Sequence, residues 1–364
     1  MLKNKNIFLT GVTGLVGSYL LKILLEHKNK VYVLARSKDN KSAQDRVIDI
    51  LKFWDEGILD KGFLANLNVI DGDITFPDLG IKAKRNIETL ISEVEIIFHS
   101  AALAELSSPL EVIRRINVGG TRNILNFALE CKKRGSLKKV NHISTAYVVG
   151  AKKGIEFSED MLELGQEFSN TYEQTKYEAE LLVKEYLANG LNISIFRPGM
   201  IMGDSKQGKT NNFRLFYQPL HFFSQGIYDE FPMDRDFPQN LINVDTVAEV
   251  IFLLGEREEP AVYHLVSPYE VPMGWIFKLA ADYFGFEMPK FIPLKEFNFN
   301  KWTSVQKALA EPYIPYFNHT VKFLSQKTED ILKGYDFRYP EIDKDNIMRN
   351  LAYCHKAGFI KRRA

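Results

Sequence analysis

A tyrosine and a lysine four residues apart occur in the stretch NTYEQTKYEAE, as Tyr172 and Lys176. On a helix this spacing places both side chains on one face, within reach of a common ligand. A lysine ammonium beside a phenol favours the phenolate and lowers a pKa that is otherwise about 10. Such a tyrosine donates a proton to a carbonyl oxygen as hydride arrives, or takes it back in the reverse reaction. The pair is therefore a candidate for carbonyl reduction or alcohol oxidation, although the same spacing is also common by chance, so the position of the pair in the fold must decide.

Two hydroxyl side chains stand a short way before this helix. Ser144 and Thr145 end the segment KKVNHIST, whose apolar residues are typical of a strand. A hydroxyl at a strand end can donate a hydrogen bond to the same carbonyl oxygen and hold it for attack. The alternative is a half-buried helix face packed under a β-branched strand end. A nucleotide-binding loop elsewhere in the chain favours the catalytic interpretation over that alternative.

The segment TGVTGLVG is a candidate for such a loop. Gly11, Gly14 and Gly17 are three residues apart, directly after one predicted strand and at the start of a predicted helix. The first glycine permits a tight turn, the second lets the backbone approach a pyrophosphate, and the third lets the helix pack on the sheet. The helix N-terminus then offers unpaired amides and a positive dipole to the phosphates. The strand–turn–helix context indicates a dinucleotide site.

The end of the second predicted strand, KVYVLAR, bears on which dinucleotide binds. An acidic residue there accepts a hydrogen bond from a free ribose hydroxyl, whereas an arginine receives a 2′-phosphate. Arg36 occupies this position and predicts NADP, used as NADPH, with a plain surface arginine as the alternative. Asp73, in DGDIT at the end of the third strand, is expected to contact the adenine ring, and Ile74 next to it is expected to bind the cofactor. Ala101 and Ala102, in FHSAAL, are small enough for the cofactor to cross the fourth strand.

Elements that bring these residues together follow from the pattern of the chain. Apolar segments typical of strands alternate with helical segments through about the first 200 residues. This alternation predicts right-handed crossovers and an α/β fold, a Rossmann-type doubly wound parallel sheet. After residue 203 the segments become rich in aromatic residues and proline. We expect an NADP-binding Rossmann domain over 1–203 and 241–268, and a smaller, mainly helical C-terminal substrate-binding lobe over 204–240 and 269–364.

The composition argues against several other classes of protein. The 364 residues carry a formal net charge of +1, which gives no electrostatic footprint for nucleic acid or an anionic membrane. Cys131 and Cys354 fit no metal or redox spacing, so we expect no metal site and a reducing compartment. No apolar run is long enough to span a membrane. Lys3 and Lys5 precede an apolar segment, as in a signal peptide, but no small-residue cleavage site follows, and we expect a cytoplasmic protein.

Seven motifs resemble those of the extended short-chain dehydrogenase/reductase superfamily, in the order TGVTGLVG, DGDI, FHSAA, NVGGT, STA, YEQTK and FRPG. They cover about residues 6–203. The resemblance implies a catalytic trio of Thr145, Tyr172 and Lys176. Of the two strand-end hydroxyls it selects Thr145, because that residue stands five positions before Gly150.

The same resemblance implies which backbone segments hold the cofactor. The pyrophosphate would be held by five residues of the first loop: Gly11, Thr13, Gly14, Leu15 and Val16. Pro198 and Gly199 would lie behind the nicotinamide. Asn117, in NVGGT, is expected to be a structural hydrogen-bonding residue rather than part of a proton relay.

Three further stretches resemble the thioester reductase family: VLARSKDNKSAQDRV, IDGDITFPDLGI and FRPGMIMGDSKQGKTN. That family comprises the terminal reductase domains of carboxylic acid reductases and nonribosomal peptide synthetases, together with the related fatty acyl reductases. A later stretch, YFNHTVKFLSQKTEDIL, also resembles the closing segment of fatty acyl reductases, more loosely. The resemblance implies NADPH-dependent reduction of an acyl thioester to an aldehyde, with further reduction to the alcohol left open. The chain shows no adenylation segment and no carrier-domain serine motif, so we expect the thioester to arrive in trans on coenzyme A or an acyl carrier protein.

Other functions remain open at this stage. A sugar-nucleotide epimerase or dehydratase uses the same fold but favours an acidic residue where this chain has Arg36. A ketone or hydroxysteroid-type carbonyl reductase would accept simple ketones, and an NADP-binding regulatory module would have no need of the trio. The aromatic residues Phe213, Phe216, Tyr217, Phe222 and Phe223 form either the wall of an acyl channel or the core of the smaller lobe.

Overall fold

The computed structural model describes residues 2–60 and 62–363. Its strands, in chain order, are β1 (Asn6–Thr10), β2 (Lys30–Ala35), β3 (Leu67–Asp71), β4 (Ile96–His99), β5 (Lys139–Ile143), β6 (Glu156–Phe157), β7 (Ile193–Pro198), β8 (Met200–Met202), β9 (Glu230–Pro232), β10 (Pro238–Asn243), β11 (Val262–Leu265), β12 (Glu270–Pro272), β13 (Lys290–Ile292) and β14 (Lys322–Phe323). Its α-helices are α1 (Leu15–Glu26), α2 (Ala43–Trp54), α3 (Lys84–Glu93), α4 (Leu110–Arg114), α5 (Gly120–Arg134), α6 (Thr171–Ala188), α7 (Tyr217–Ser224), α8 (Val244–Leu254), α9 (Met273–Phe284), α10 (Ser304–Ala310), α11 (Gln326–Leu332) and α12 (Lys344–Lys356).

Seven strands form one sheet in the order β11-β7-β5-β4-β1-β2-β3. The pairs from β3 to β7 are parallel, as the strand–helix alternation predicts. The strand order reverses between β1 and β4, because the chain moves outward to β3 on one side and to β7 on the other. In such a sheet the carboxyl ends of the strands flanking the reversal form a ligand-binding crevice. The predicted Rossmann-type doubly wound sheet is confirmed.

The register of the central strands places polar side chains in one row. Thr10 on β1 is opposite His99 on β4, and His99 is opposite His142 on β5. All three are buried, although the strands around them are apolar. Because a buried polar group is costly unless it is hydrogen-bonded, these three side chains require hydrogen-bond partners within the core.

A left-handed turn follows β3. Asp78, Leu79 and Gly80 have φ values of 50°, 57° and 63°. Only glycine adopts such values readily, and each of the other two residues costs about 1–2 kcal/mol there. The burial of Leu79 in the core, where it is 1% exposed, offsets that cost, and its carbonyl accepts a hydrogen bond of 2.7 Å from the Asp73 amide. The turn therefore fixes the backbone at Asp73.

The described chain divides into two compact units. The first comprises Met1–Val148, Thr171–Pro198 and Val247–His264, and the second Val149–Asn170, Gly199–Thr246 and Leu265–Ala364. The second unit holds segments 149–170, 199–203, 241–246 and 265–268, which the sequence placed in the nucleotide-binding domain. It is built on helices α7 and α9 to α12 with short pairings such as β12-β10-β8 and β13-β9. No helix within 2–60 or 62–363 has the length and apolar character needed to cross a membrane.

The aromatic segment 213–223 belongs to the core of the second unit. Phe216, Tyr217 and Phe223 are at most 2% exposed. The ring of Phe223 packs edge-on against Phe231 and Phe277, with centroids 5.1 and 5.0 Å apart. Of the two alternatives left by the sequence, these contacts favour packing over an open channel wall.

Candidate active site

The glycines of the loop after β1 are required for different reasons. Gly11 has a φ of 76°, and a Cβ there would lie 2.5 Å from the Ala101 amide nitrogen. A Cβ on Gly17 would lie 2.3 Å from the Gly11 carbonyl oxygen. Gly14 is exposed, and a Cβ on it would lie 3.2 Å from its nearest neighbour, the Gly11 carbonyl oxygen. Gly11 and Gly17 thus permit the turn and the packing of α1. Gly14, which has no side chain, leaves the exposed surface of the loop accessible to a ligand.

The N-terminus of α1 is open to a bound anion. Its N-cap is Gly14, so no side chain caps the helix, and its first turn carries no acidic residue. Backbone amides that lack a partner, together with the positive end of the helix dipole, suit a phosphate group. Thr13, Leu15 and Val16 lie in this same loop and first turn. The residues present therefore fit the pyrophosphate of a dinucleotide.

A cavity of about 420 Å³ lies beyond the end of β2 and β3. Its lining includes basic and acidic side chains, an amide and an aromatic ring: Arg36, Asp71, Asp73, Phe76, Lys82 and Asn86. The Arg36 guanidinium lies 3.3 Å from the Asp73 carboxylate, and its side chain is 59% exposed. Exposure leaves this guanidinium free to exchange partners at little cost, because surface ion pairs are worth about 0–1 kcal/mol.

The two cofactor-binding residues predicted after the third strand, Asp73 and Ile74, have different surroundings. Partial burial acts to raise the pKa of Asp73, but hydrogen bonds from Thr75 and the nearby Arg36 outweigh it, and the pKa lies below its usual value. Asp73 is therefore an anion in the cavity wall. The Ile74 side chain is 7% exposed and packs in the core below. Its carbonyl accepts a hydrogen bond of 2.7 Å from the Asn123 side chain.

The three residues of the predicted trio lie in the first unit, at the end of β5 and the start of α6. The phenol of Tyr172 is hydrogen-bonded to the hydroxyl of Thr145. The Thr145 hydroxyl also lies 3.4 Å from the Pro198 carbonyl oxygen and accepts a hydrogen bond of 3.3 Å from the Tyr147 amide. The Lys176 ammonium donates to the Ile143 carbonyl at 2.8 Å. Two hydroxyl groups thus converge at one strand end.

One expectation about this trio is wrong. Burial raises the pKa of Tyr172 to about 12, and the hydrogen bond with Thr145 only partly opposes this rise. The sequence predicted that Lys176 would lower the pKa of the phenol. Instead, the ammonium is directed to the Ile143 carbonyl, and burial lowers the pKa of Lys176 itself to about 8. Tyr172 is consequently a neutral proton donor, and Lys176 is positively charged below pH 8.

Asn117 has a structural set of hydrogen bonds, as its motif implied. It lies in a π-helical turn, Arg115–Gly119, between α4 and α5. Its amide nitrogen donates to Leu103 O and Thr175 Oγ1 at 3.1 and 3.0 Å, and its oxygen accepts from the Leu103 amide at 2.7 Å. These bonds join the loop after β4 to α6. Such turns often occur at functional sites because they displace one residue from the regular helix.

The hydrogen bonds of His99 determine its tautomer. The Thr121 hydroxyl donates to Asn117 O at 2.6 Å, so it accepts from His99 Nε2 at 3.1 Å. His99 Nδ1 then accepts from the Thr10 hydroxyl at 2.9 Å, and Thr10 accepts from the Ala101 amide at 3.3 Å. Burial and the nearby Lys176 charge lower the pKa of His99 to about 3, in agreement with a neutral ring. A directed chain therefore runs from Ala101 to the π-helical turn.

A buried ion pair supports the same region. Arg197 and Glu180 are 1% and 0% exposed, and the Arg197 Nη2 lies 2.7 Å from Glu180 Oε2. Arg197 Nε lies 3.0 Å from the other carboxylate oxygen, and Nη1 lies 3.2 Å from His264 Nε2. Glu180 stands four residues after Lys176 on α6, and Arg197 directly precedes Pro198. Removing one partner of such a pair leaves an uncompensated buried charge, which is strongly destabilising.

Most of the predicted site residues thus fall in the first unit at the carboxyl edge of its sheet. Gly199 belongs to the second unit, where its amide donates to the Leu265 carbonyl at 3.0 Å. Sequence reasoning missed His99 and His142. The available signal was one histidine in each of the apolar strands IIFH and KVNHI, next to the segments already singled out.

A doubly wound sheet with a glycine loop after β1 and a tyrosine–lysine pair on the helix after β5 is the arrangement of an extended short-chain dehydrogenase/reductase. The chain belongs to the family described as "Male sterility protein", which matches residues 9–251. The resemblance stated from the sequence motifs is confirmed.

Relatives of two kinds are similar to the chain. It is 27% identical over 332 residues to "Fatty acyl-CoA reductase wat" of Drosophila melanogaster, an alignment that covers 81% of the chain and 63% of the relative. It is 28% identical over 261 residues to "L-2-aminoadipate reductase" of Saccharomyces cerevisiae, covering 68% of the chain and 18% of the relative. The chain therefore spans less than two thirds of the length of either protein.

A solved structure matches the chain over its whole length. The terminal R domain from the myxalamid PKS-NRPS biosynthetic pathway superposes with a TM-score of 0.83 at 26% sequence identity. The match covers 100% of this chain and 93% of that domain. The fold of the chain is therefore that of a terminal reductase domain as well as of the wider superfamily.

Proposed function

We propose that the chain is an NADPH-dependent reductase that transfers hydride to the carbonyl carbon of an acyl thioester and produces an aldehyde. The observation that carries the proposal is the convergence of the Thr145 hydroxyl and the Tyr172 phenol after β5, with the Lys176 ammonium bound to the Ile143 carbonyl of the same strand. Support comes from the relatives, which include a fatty acyl-CoA reductase and an R domain.

The cofactor part of the proposal rests on the glycine loop and on Arg36. The open N-terminus of α1 suits a pyrophosphate, and the guanidinium in the cavity beyond β2 suits a 2′-phosphate. Asp73 would contact the adenine, with Ile74 next to it in the chain. Ala101 and Ala102 would lie along the cofactor, and Pro198 and Gly199 behind the nicotinamide. When bound, the nicotinamide supplies the hydride.

The chemistry of the side chains follows from their hydrogen bonds and charges. Thr145 and Tyr172 would both donate to the thioester oxygen, which gains negative charge as the carbonyl carbon accepts hydride. Tyr172 then gives its proton to that oxygen, and the product is a hemithioacetal. The phenolate that remains is a strong base, because burial raises the pKa of Tyr172 to about 12. Lys176, bonded to the Ile143 carbonyl, would place a positive charge at the same strand end.

The hemithioacetal must next lose its sulfur. The Tyr172 phenolate takes back the hydroxyl proton, the C–O bond becomes a carbonyl, and the C–S bond breaks with its electron pair on sulfur. The products are an aldehyde and a thiol, once the thiolate is protonated. One proton is delivered and one returned at the same atom, so the phenol is regenerated in each cycle.

The thioester in this proposal arrives on coenzyme A or on an acyl carrier protein, and the location remains a cytoplasmic prediction. The decisive experiment mixes purified protein and NADPH with acyl-coenzyme A and acyl-carrier thioesters of matched chain length. Cofactor absorbance and aldehyde trapping are followed together. We expect NADPH oxidation that depends on the thioester and releases thiol and aldehyde in equal amounts. Its rate should fall by about 10²–10⁴-fold in Tyr172→Phe.

Other outcomes of the same assay would contradict the proposal. Turnover with simple ketones and none with any thioester would indicate a carbonyl reductase. Tightly held NAD that is released on denaturation, with turnover of a nucleotide sugar, would indicate an epimerase. Cofactor binding without turnover of any of these substrates would indicate a regulatory module.

A further inference from the structure

The histidine beside the predicted catalytic lysine has no place in the mechanism described so far. His142 lies at the end of β5, directly before Ile143, and is 1% exposed. Its Nε2 lies 3.5 Å from Lys176 Nζ, while Nδ1 has no hydrogen-bond partner in the part of the chain that the structure describes. A fully buried ring with an unpaired nitrogen is unusual, because nearly all buried polar groups are hydrogen-bonded.

The direction of the contact follows from the chemistry of the two groups. An ammonium can only donate, so His142 Nε2 accepts and the ring proton lies on Nδ1. Lys176 therefore has two acceptors from one strand, the Ile143 carbonyl at 2.8 Å and the His142 ring at 3.5 Å. Burial, the Lys176 charge and His99 all lower the pKa of His142 well below its ordinary value, so the ring stays neutral.

We propose that His142 is a positioning residue whose neutral imidazole accepts a hydrogen bond from the Lys176 ammonium and holds it at the carboxyl end of β5. The unpaired Nδ1 is the cost of this arrangement, since a ring that presents Nε2 as the acceptor must carry its proton on Nδ1. The significance for catalysis rests on the proposed function, but the contact itself does not.

The charged and titratable groups around Lys176 come from three elements. On α6 itself these are Tyr172 and Glu180, and Glu180 acts to raise the pKa of the lysine. On β5 the neighbour is His142, and on β4 it is His99, whose ring centroid is 5.5 Å from that of His142. Glu180 is bound by Arg197, so His142 is the side chain that accepts directly from Lys176 Nζ among these groups.

A titration of Lys176 without substrate or cofactor tests the contact. The protein would be labelled with ¹³C at lysine Cε, with the Lys176 signal identified by its loss in Lys176→Met. In His142→Leu the acceptor is removed, so we expect the pKa of Lys176 to fall by about one unit, a tenfold change in its protonation equilibrium. In His142→Gln an amide oxygen of similar reach replaces Nε2, and we expect most of the shift to be reversed.

Two further variants make the result specific. His99→Leu removes an equally buried ring that has no hydrogen bond to Lys176, and it should leave the lysine titration unchanged. If His142→Leu does not fold, His142→Asn replaces it, because the shorter amide cannot reach Nζ. An unchanged Lys176 titration in the Leu or Asn variant, or equal shifts with Gln, would overturn the proposal.

The pH dependence of turnover connects the contact to the reaction. In His142→Leu the alkaline limb of kcat should move to lower pH by the same tenfold equilibrium change, while KM for the thioester stays constant. A shifted lysine titration in a protein that reduces no thioester would contradict the proposed function and leave the positioning role intact. Thioester turnover with an unshifted lysine titration would support the proposed function and overturn the positioning role of His142.

Discussion

At the end of β2 the charged side chains are exposed, whereas at the end of β5 they are buried. The Arg36 side chain is 59% exposed, and its partner Asp73 is ionised, with a pKa below its usual value. Lys176 is 3% exposed, and burial moves its pKa to about 8 and that of Tyr172 to about 12. Titratable side chains at two positions along one sheet edge therefore differ in their exposure and in the shifts of their pKa values.

The difference separates recognition from chemistry. An exposed guanidinium gives up a weak ion pair and gains a ligand with little penalty, so it can set affinity and selectivity. A buried phenol and ammonium cannot be hydrated, so their protonation states depend on the few groups that they touch. Substitutions at β2 should therefore change cofactor binding, and substitutions at β5 and α6 should change rate and pH dependence.

The largest effect expected is that of Tyr172→Phe. Loss of the proton donor should lower the rate of thioester-dependent NADPH oxidation by about 10²–10⁴-fold. Single-turnover absorbance measures the rate, and quenching of protein fluorescence measures NADPH affinity, which should stay within about twofold. Tyr186→Phe is the control, because it removes a phenol on the same helix that bonds to Asn126. Equal losses in the two variants would contradict a chemical role for Tyr172.

The buried ammonium should be visible in protein stability. An unfolded lysine has a pKa of about 10.4, so between about pH 8 and 10 the unfolded chain binds one more proton at Lys176 than the folded chain. The free energy of unfolding therefore rises with pH in this window, by up to about 1.4 kcal/mol per pH unit. In Lys176→Met this contribution disappears. The difference in free energy of unfolding between the variant and the native protein should therefore change in favour of the native protein from pH 8 to pH 10.

Urea unfolding at pH 7, 8.5 and 10 measures this effect. Lys139, whose pKa burial also lowers to about 8, is present in both proteins and cancels from the difference. Lys278→Met, at a side chain that is 58% exposed, serves as the control for loss of a lysine that is not buried. Parallel stability curves for Lys176→Met and the native protein would mean that the lysine is hydrated.

A smaller effect is expected for Arg36→Asp. Loss of the guanidinium and gain of a carboxylate should weaken NADPH binding by about 10- to 100-fold and leave NADH binding almost unchanged, because only NADPH has a 2′-phosphate. Titration calorimetry with both cofactors measures the ratio. Lys38→Asp makes the same change of charge two residues away, at a side chain that is 61% exposed. The same loss for both cofactors would show that Arg36 does not bind the phosphate.

The smallest effect is expected in the left-handed turn. Gly80→Ala and Gly62→Ala each place a Cβ on a residue with positive φ, at a cost of about 1 kcal/mol in the free energy of unfolding. Only the Cβ on Gly80 meets a neighbour, the Asp73 amide at 3.0 Å. Urea unfolding should show similar losses, whereas NADPH affinity should fall in Gly80→Ala alone. Equal NADPH affinities in the two variants would show that the turn does not contribute to binding the adenine end of the cofactor.

Much of the first unit was predictable because its signals are local. The alternation of apolar strands and helices fixes a parallel sheet, and α1 spans Leu15–Glu26, as its apolar pattern predicts. The helix of Tyr172 and Lys176 begins at Thr171, and the i, i+4 spacing brings both residues to one side. These features depend on residue type and period alone.

Other features depend on tertiary contacts and could not be predicted. Leu79 carries no sign of positive φ and adopts it with its side chain buried in the core, whereas Asp78 carries only the weak preference of aspartate for this conformation. The pKa of Tyr172 is raised because burial outweighs the hydrogen bond with Thr145. The aromatic segment 213–223 has the same pattern whether it forms a channel or a core, and only its ring contacts with residues distant in sequence separate the two.

The buried pair of Glu180 and Arg197 has a consequence for how the molecule opens. It joins α6 to β7 by bonds that must all break together, since neither charge can be left alone in the core. Local fluctuations that expose one of these elements therefore require the other to move, and the two form a single cooperative unit of unfolding. Tyr172 and Lys176 lie on α6, so the buried pair couples the stability of their helix to that of β7.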